Sequence, residues 1–453
     1  MKTTISIALC KFMTWVCKIV GPIFKKEGSV LPGKCVSKFD RNVLDRIVYP
    51  GVVVAVSGSS GKGSTVAMLA HILEGSGKKV VWNKNGSNIK NAIVTLVLNN
   101  TKAFSHKMDC DVLLLEMDER YIKGTFKPGT ITHLVLSNIT RDQPSRNVHP
   151  AFIYDKIFEA VDDKMHLILN ADDPLLMRMK YAHGGKITTY GIAETKDSSK
   201  DKPDYAVDFA YCPSCHTLLD YEAYHYGHLG IYDCPRCSFG RGIVDYEARK
   251  VDLNRGTFEL QGNELKLNKK VLFAVYYTLL AYTIATEIGI DKKDILREIN
   301  EDEMASKRGK SYTLDGRKIE MLESKNENAL SYLQSLKYIK NQPGKKTVVM
   351  GFENVSRRYR YNDLSWLWDV DFELLNDELV DKIFCIGRFK NDVAVRLDYA
   401  GIDRDKIVLV DDLNNLLDEI EEKSDGEIYT MVCFDMTGII TGLLKERKNE
   451  KDN

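Results

Sequence analysis

Apolar runs that end in polar clusters recur through the first half of the chain. Residues 51–56, Gly-Val-Val-Val-Ala-Val, are apolar and largely β-branched, which predicts a buried strand. A glycine-rich loop, Ser57-Gly-Ser-Ser-Gly-Lys-Gly-Ser-Thr65, follows at once. Val66, Leu69, Ala70, Ile72 and Leu73 then recur at helical spacing. Residues 111–116, 131–136 and 166–169 predict three more buried strands. Each of these also meets a polar cluster: Glu116-Met-Asp-Glu119, Ser-Asn-Ile-Thr-Arg-Asp-Gln143 and Asn170-Ala-Asp-Asp-Pro174. In an open α/β sheet, ligands gather at the carboxyl ends of the strands, so these clusters predict one ligand-facing edge.

Further on, 252–267 reads as extended strands, 271–288 as a buried helix and 291–300 as a shorter one. The C-terminal third alternates apolar runs (318–322, 347–350, 382–386, 407–410, 428–433) with helical patterns (329–339, 391–399, 414–420). That alternation predicts a second α/β domain with a mainly parallel sheet. At the other end, Ile5, Leu9, Phe12, Met13, Val16, Ile19 and Val20 fall on one helical stripe. This amphipathic helix is expected to dock on the protein's own core, and the sharper alternative is a membrane surface. Lys11 and Lys18 interrupt it, so no charge-free run reaches the ~20 residues of a membrane span, and no cleavage site of a signal peptide follows.

The chain has 453 residues, 44% hydrophobic and 28% charged, a globular composition long enough for several domains. Lys+Arg and Asp+Glu are both 64, which argues against a general nucleic-acid binder. Of ten cysteines, six (10, 17, 35, 110, 385, 433) are scattered without framework spacing, which points to a reducing compartment. The other four form Cys212-Pro-Ser-Cys215 and Cys234-Pro-Arg-Cys237. Two such turns close a tetrahedron of thiolates, so a structural Zn²⁺ ribbon is expected there, with no open position for catalysis.

Strand, glycine loop and helix is the context of a phosphate-binding loop. Gly58, Ser60, Gly61 and Gly63 would let backbone N–H groups approach phosphate oxygens, and Lys62 would reach the terminal phosphates. Ser64 or Thr65 would offer a hydroxyl to Mg²⁺, and Glu116, at a strand end, a carboxylate; Asp118 and Glu119 rank below it. The loop departs from GxxxxGK[ST], because Gly63 separates the lysine from the hydroxyls. The segment 362–372 combines Asp363, Asp369 and Asp371 with Trp366 and Trp368, and reads by default as core tryptophans with acids at turns.

The loop SGSSGKGST, the acid of LLLEMDE, the NITRDQ segment and NADDP together resemble the Mur ligase superfamily in order and spacing. The cysteine ribbon and SWLWDVDFE narrow the resemblance to its MurT/GatD-type amidating branch, over residues 29–445. The resemblance implies a central ATP-binding α/β domain (46–305, ribbon insert 205–245), a Rossmann-like C-terminal domain (306–453) and an N-terminal lead-in (1–45). It implies an ATP- and Mg²⁺-dependent ligase that phosphorylates the D-glutamate α-carboxylate of lipid II. A glutamine amidotransferase partner of the GatD type would supply ammonia, in a heterodimer or higher complex that is cytoplasmic or peripheral at the inner membrane face. Asn88, Asn170 and Asp173 would lie near the nucleotide, and Asp363, then Asp369, would assist the partner's glutaminase. Rival readings are another amide ligase of the superfamily, such as a folylpolyglutamate synthase, or a nucleotide-binding scaffold. Departures from the branch include Ser59, Ser60 and Gly63, the residues after Lys325-Asn326, and the arginines 357, 358 and 360.

Overall fold

The computed structural model describes residues 1–20, 28–142, 149–202, 208–301, 312–323, 328–353 and 363–452. The calls on Lys325-Asn326 and on arginines 357, 358 and 360 fall outside these residues. The chain forms two compact units. The first comprises Met1–Thr140, Pro150–Lys202 and Asp208–Asp302; the second comprises Glu303–Asn453 with Arg141–His149 and Pro203–Val207.

The first unit opens with helices α1 (Lys2–Val20) and α2 (Leu31–Phe39). Strand β1 (Val52–Ser57), helix α3 (Lys62–Gly75), strand β2 (Val80–Trp82) and helix α4 (Lys90–Asn99) follow. Next come β3 (Val112–Glu116), β4 (His133–Leu136), β5 (His166–Asn170) and β6 (Ile187–Ile192). A two-stranded hairpin, β7 (Asp220–Tyr226) and β8 (Leu229–Asp233), precedes β9 (Tyr246–Asp252), β10 (Thr257–Leu260) and β11 (Asn263–Lys266). The large sheet has the order β11-β10-β9-β6-β5-β4-β1-β3-β2. From β2 to β9 every neighbouring pair is parallel; β10 and β11 close the edge antiparallel. Parallel central strands are covered on both faces, which is why β1, β3 and β5 read as unbroken apolar runs rather than alternating ones. Leu114, in β3, is fully buried, and its truncation to Ala should cost about 2–5 kcal/mol. The helix Leu272–Glu287, buried along most of its length, carries no clear polar face for the same reason.

The pattern leaves β6 unmarked, because Thr188, Thr189 and Gly191 break its apolar run. The expected docking of α1 is corrected in its direction. The face turned inward is Thr3, Ser6, Ile7 and Cys10, whereas Ile5, Phe12, Ile19 and Val20 are exposed and Leu9, Met13 and Val16 half-buried. The cause is polar: Ser6 Oγ donates to Asp40 Oδ2 (2.8 Å), and Thr3 Oγ1 accepts from Arg46 Nε (2.7 Å). Arg46 in turn pairs with Asp40. The buried Asp40 carboxylate, paired with an Arg46 that stays partly in water, draws the helix's hydroxyls inward and leaves the apolar stripe outside.

The second unit holds a six-stranded sheet: β12 (Tyr312–Leu314), β13 (Arg317–Glu323), β14 (Lys346–Gly351), β15 (Val380–Ile386), β16 (Ile407–Leu409) and β17 (Glu427–Val432). Its order is β12-β13-β17-β14-β15-β16, parallel except at β12. Helices Ala329–Asn341, Lys390–Tyr399 and Leu416–Lys423 fall on the predicted patterns, and Phe434–Asp452 closes the chain.

Candidate functional site

The predicted polar clusters converge at the carboxyl end of β1. Gly58 has φ +125°, and a Cβ there would lie 2.3 Å from Ser137 Oγ and 2.7 Å from the Asn138 carbonyl, so only glycine fits. Gly61, at φ +81°, starts α3 and has no atom within 4 Å of its would-be Cβ, which leaves the helix N-terminus open to an anion. The loop is stitched to the turn after β4. Ser59 Oγ donates to the Thr140 carbonyl (3.0 Å), and Ser60 N and Oγ both donate to Asn138 Oδ1 (3.2 and 3.1 Å). Ser137 Oγ donates to the Ser60 carbonyl (2.6 Å).

Lys62 is buried, and its ammonium is held by the Gly58 carbonyl and by Glu119 Oε1, at 2.6 Å from the latter. Glu119 is 5% exposed. The acid ranked below Glu116 in the sequence is therefore the one that engages the lysine. Glu116, half-buried, accepts from Asn88 Nδ2 on Oε1 (3.0 Å). A Cβ on Gly63 would sit 3.2 Å from its other oxygen. Glu116 is thus aimed at the first turn of α3, and Gly63 leaves room beside it. Thr65 Oγ1 donates to the Gly61 carbonyl (3.0 Å), so its hydroxyl already has a partner within the helix, and Ser64 is half-buried. The sequence left Asn83 unremarked. Its side chain holds the Glu116 backbone from both sides (2.8 and 2.9 Å), and its place just past β2 was the available signal.

Asn170 and Asp173 are both fully buried. Asn170 Nδ2 donates to the Ser137 carbonyl (2.9 Å); Asp173 accepts from Ile139 N (2.8 Å) and caps Leu175 N (2.9 Å). In this structure they shape the turns beside the phosphate loop rather than face outward.

The cysteine ribbon brings its four thiols together as predicted. The Sγ atoms of Cys212, Cys215, Cys234 and Cys237 all lie within 4.8 Å of one another, with 212–237 at 3.6 Å and 215–234 at 3.4 Å. Zn–S bonds of ~2.3 Å in a tetrahedron place sulfurs about 3.8 Å apart, so the set fits a metal. Ser214 N donates to Cys212 Sγ and Arg236 N to Cys234 Sγ, each at 3.4 Å. The six other cysteines are free thiols.

Two family models match the chain. One, described as Mur ligase middle domain, covers residues 56–213; the other, MurT ligase C-terminal, covers 324–436. Together they span more than half of it. The chain belongs to the Mur ligase superfamily. Within that superfamily it is 27% identical, over 419 residues and 89% of each chain, to a Staphylococcus aureus protein named lipid II isoglutaminyl synthase (glutamine-hydrolyzing) subunit MurT. The Streptococcus pneumoniae protein of the same name is 27% identical over 442 residues, 96% of this chain and 95% of that one. Among solved structures, a pseudomurein peptide ligase type C from Methanothermus fervidus superposes with a TM-score of 0.65 at 20% identity, covering 87% of this chain and 78% of its own. The Mur ligase fold expected from the resemblance is therefore the fold observed.

In the second unit, Trp366 is a core anchor, packed 4.8 Å from Tyr332 and 5.7 Å from Phe352 between ring centroids. Trp368 is not; it is 56% exposed and lies over the Arg396 guanidinium. Asp363 Oδ1 caps Ser365 N (2.9 Å), whereas both Asp369 oxygens are held by Arg141 Nη1 (3.1 and 3.0 Å). Burial, then Glu373 beside it, pushes the Asp371 carboxyl up.

Proposed function

We propose that the chain is the ATP-dependent subunit of a lipid II isoglutaminyl synthase. It transfers the γ-phosphoryl group of ATP to the α-carboxylate of the stem-peptide D-glutamate, with ADP as leaving group. Ammonia, released from glutamine by a GatD-type partner, then attacks the acyl carbon, loses a proton and expels phosphate. A carboxylate is a poor electrophile, and phosphorylation turns its oxygen into a leaving group. The protein's part is positioning and charge neutralisation. The N–H groups of the Gly58–Lys62 turn receive the phosphates, and Lys62 lies within reach once Glu119 shares it. Glu116, with Ser64 or Thr65, would hold Mg²⁺, which supplies charge neutralisation across the transferred group. Zn²⁺ in the ribbon has a structural role in this reading. Between the two aspartates the resemblance offers, Asp363, which caps Ser365 N, is a better candidate to assist the glutaminase than Asp369, which Arg141 clamps.

The observation that carries the reading is the Lys62–Glu119 pair beside an Asn88-held Glu116 at the open end of α3, in a chain matched along 89–96% of its length by proteins named MurT. The test is the chain co-purified with the neighbouring-gene glutaminase, given lipid II, glutamine and ATP. Amidated stem peptide and ADP should appear together. Glutamine hydrolysis without ATP consumption would leave a scaffold. ATP-dependent addition of an amino acid without the partner would leave a different amide ligase.

A lipid-linked acceptor requires an approach to the membrane, and α1 and α2 supply a surface for it. Met1, Ile5, Phe12, Trp15, Ile19, Val20, Leu31 and Phe39 are exposed, and Phe12 stacks on Trp15 at 6.1 Å. The two helices carry Lys2, Lys11, Lys18, Lys34 and Lys38 and no acid, in a chain of zero net charge. Aromatic and aliphatic side chains among lysines suit an anionic lipid surface. By length and composition α1 could also span a membrane. Its Lys11 Nζ, however, donates to the Thr101 carbonyl (2.8 Å) and its hydroxyls face the protein, which favours a helix lying flat.

A further inference from the structure

We infer that the cysteine ribbon is the rear support of the phosphate loop, and that its metal sets nucleotide affinity through Tyr232, Arg241 and His228. The inference rests on the nucleotide reading of the loop above, but not on the acceptor or the partner.

Three tiers of contacts connect the two. The ribbon's small apolar cluster of Cys212, Leu219, Tyr232, Cys234 and Phe239 is completed by Ala171 and Met177, from the turn after β5 and the short helix it leads into. Polar bonds fix that turn along its length. Tyr232 Oη donates to the Ala171 carbonyl (3.1 Å), and Gly230 N donates to the Asp172 carbonyl (3.0 Å). Arg241 Nε donates to Asp172 Oδ1 (2.6 Å), and His228 Nε2 lies 3.4 Å from Asp173 Oδ1. Asp172, Asp173 and His228 are all fully buried, so none of these groups can exchange its partner for water at low cost. The second tier runs from this turn to the one after β4, by Asp173 to Ile139 N (2.8 Å) and Asn170 to the Ser137 carbonyl (2.9 Å). The third runs from there to Ser59 and Ser60 of the phosphate loop.

A loop built from glycine and serine has many conformations, and aiming its N–H groups at a phosphate costs entropy. Supporting it from behind moves that cost from binding to folding. The ribbon itself has little core and depends on its four thiolates being drawn together. Loss of the metal should therefore loosen Ala171–Asp173 first and the phosphate loop next, while β1, β3 and β4 stay folded.

The experiment uses the full chain without lipid II or glutaminase, so its outcome is independent of the acceptor. Metal content is measured by mass spectrometry of the purified chain, before and after chelation. Binding of a fluorescent ATP analogue and amide hydrogen exchange are followed in parallel. Expected on metal removal are weaker nucleotide binding and faster exchange of amides 57–65 and 137–140, with little change in β1 and β3. Tyr232→Phe, which removes one hydroxyl and should keep the metal, is expected to weaken binding roughly two- to tenfold. Unchanged affinity and unchanged loop exchange after metal loss, or in Y232F, would overturn the inference. So would a purified chain that carries no metal.

Discussion

Lys62 is already occupied in this structure, and replacing its partner tests how the site works. The perturbation is Glu119→Gln. The lysine and glutamate lie 2.6 Å apart, 7% and 5% exposed, so the bond is charge-assisted and shielded from solvent. Hydrogen bonds to charged groups contribute about 1.5–3 kcal/mol and neutral ones about 0.5–1.5 kcal/mol. Glutamine keeps an acceptor oxygen at the same place, so the change loosens the grip on Lys62 by about 1–2 kcal/mol. That is the energy a phosphate no longer has to compete against, and it corresponds to roughly five- to thirtyfold tighter ATP binding. The folded chain without nucleotide loses a similar amount of stability, so the rise in melting temperature on adding ATP should be larger in the variant than in the parent. Isothermal titration and a thermal-shift series with ATP and Mg²⁺ measure both. If E119Q binds ATP more weakly, the latch reasoning fails and Glu119 belongs among the metal ligands instead.

Glu116→Ala should abolish Mg²⁺-dependent ADP formation by at least about a hundredfold while leaving the far-ultraviolet spectrum unchanged, as read by a coupled ADP assay. Cys212→Ser should remove the ribbon's metal and lower the melting temperature, measured by metal analysis and calorimetry on one preparation. Serine at both Phe12 and Trp15 should abolish sedimentation with phosphatidylglycerol vesicles without altering ADP formation in detergent-dispersed substrate; unchanged sedimentation would assign the exposed face to a protein partner. His166 is pushed down to about 4, first by burial and then by Lys186, so the folded chain keeps it neutral where the unfolded chain protonates it. Stability should therefore fall as pH drops from about 6.5 to 4, and His166→Asn should flatten that part of a urea-midpoint against pH curve.

What could be read from the sequence was what depends on neighbours in the chain. The phosphate loop is one strand, one turn and one helix, so Gly58, Gly61 and Lys62 carry their geometry in their spacing. The cysteine pairs do the same within two short turns, and the long apolar runs of β1, β3 and β5 announce a doubly covered sheet. What was missed depends on partners distant in the chain. Glu119 outranks Glu116 as the lysine's partner because the turn after β3 swings it inward, which no local pattern records. Asn83 matters only because β2 pairs with β3. The stripe on α1 was visible, but its direction was decided by the Asp40–Arg46 pair. Trp366 and Trp368 look alike in sequence, and a single 3-10 turn sends one into the core and the other over Arg396.

Strands β6 and β9 are adjacent and parallel, so the chain between them must cross from one end of the sheet to the other. In an ordinary α/β unit a helix makes that crossing; here the hairpin and its two cysteine turns occupy the connection. The order of assembly follows. A connection that depends on four thiolates being drawn together should delay the pairing of β9 with β6, and with it the β9–β11 edge, until the metal is bound. Refolding with a chelator should leave the amides of β9–β11 unprotected while those of β1, β3 and β4 protect on time. Chains made without the ribbon's metal should then accumulate with a bare sheet edge, a form exposed to aggregation and proteolysis.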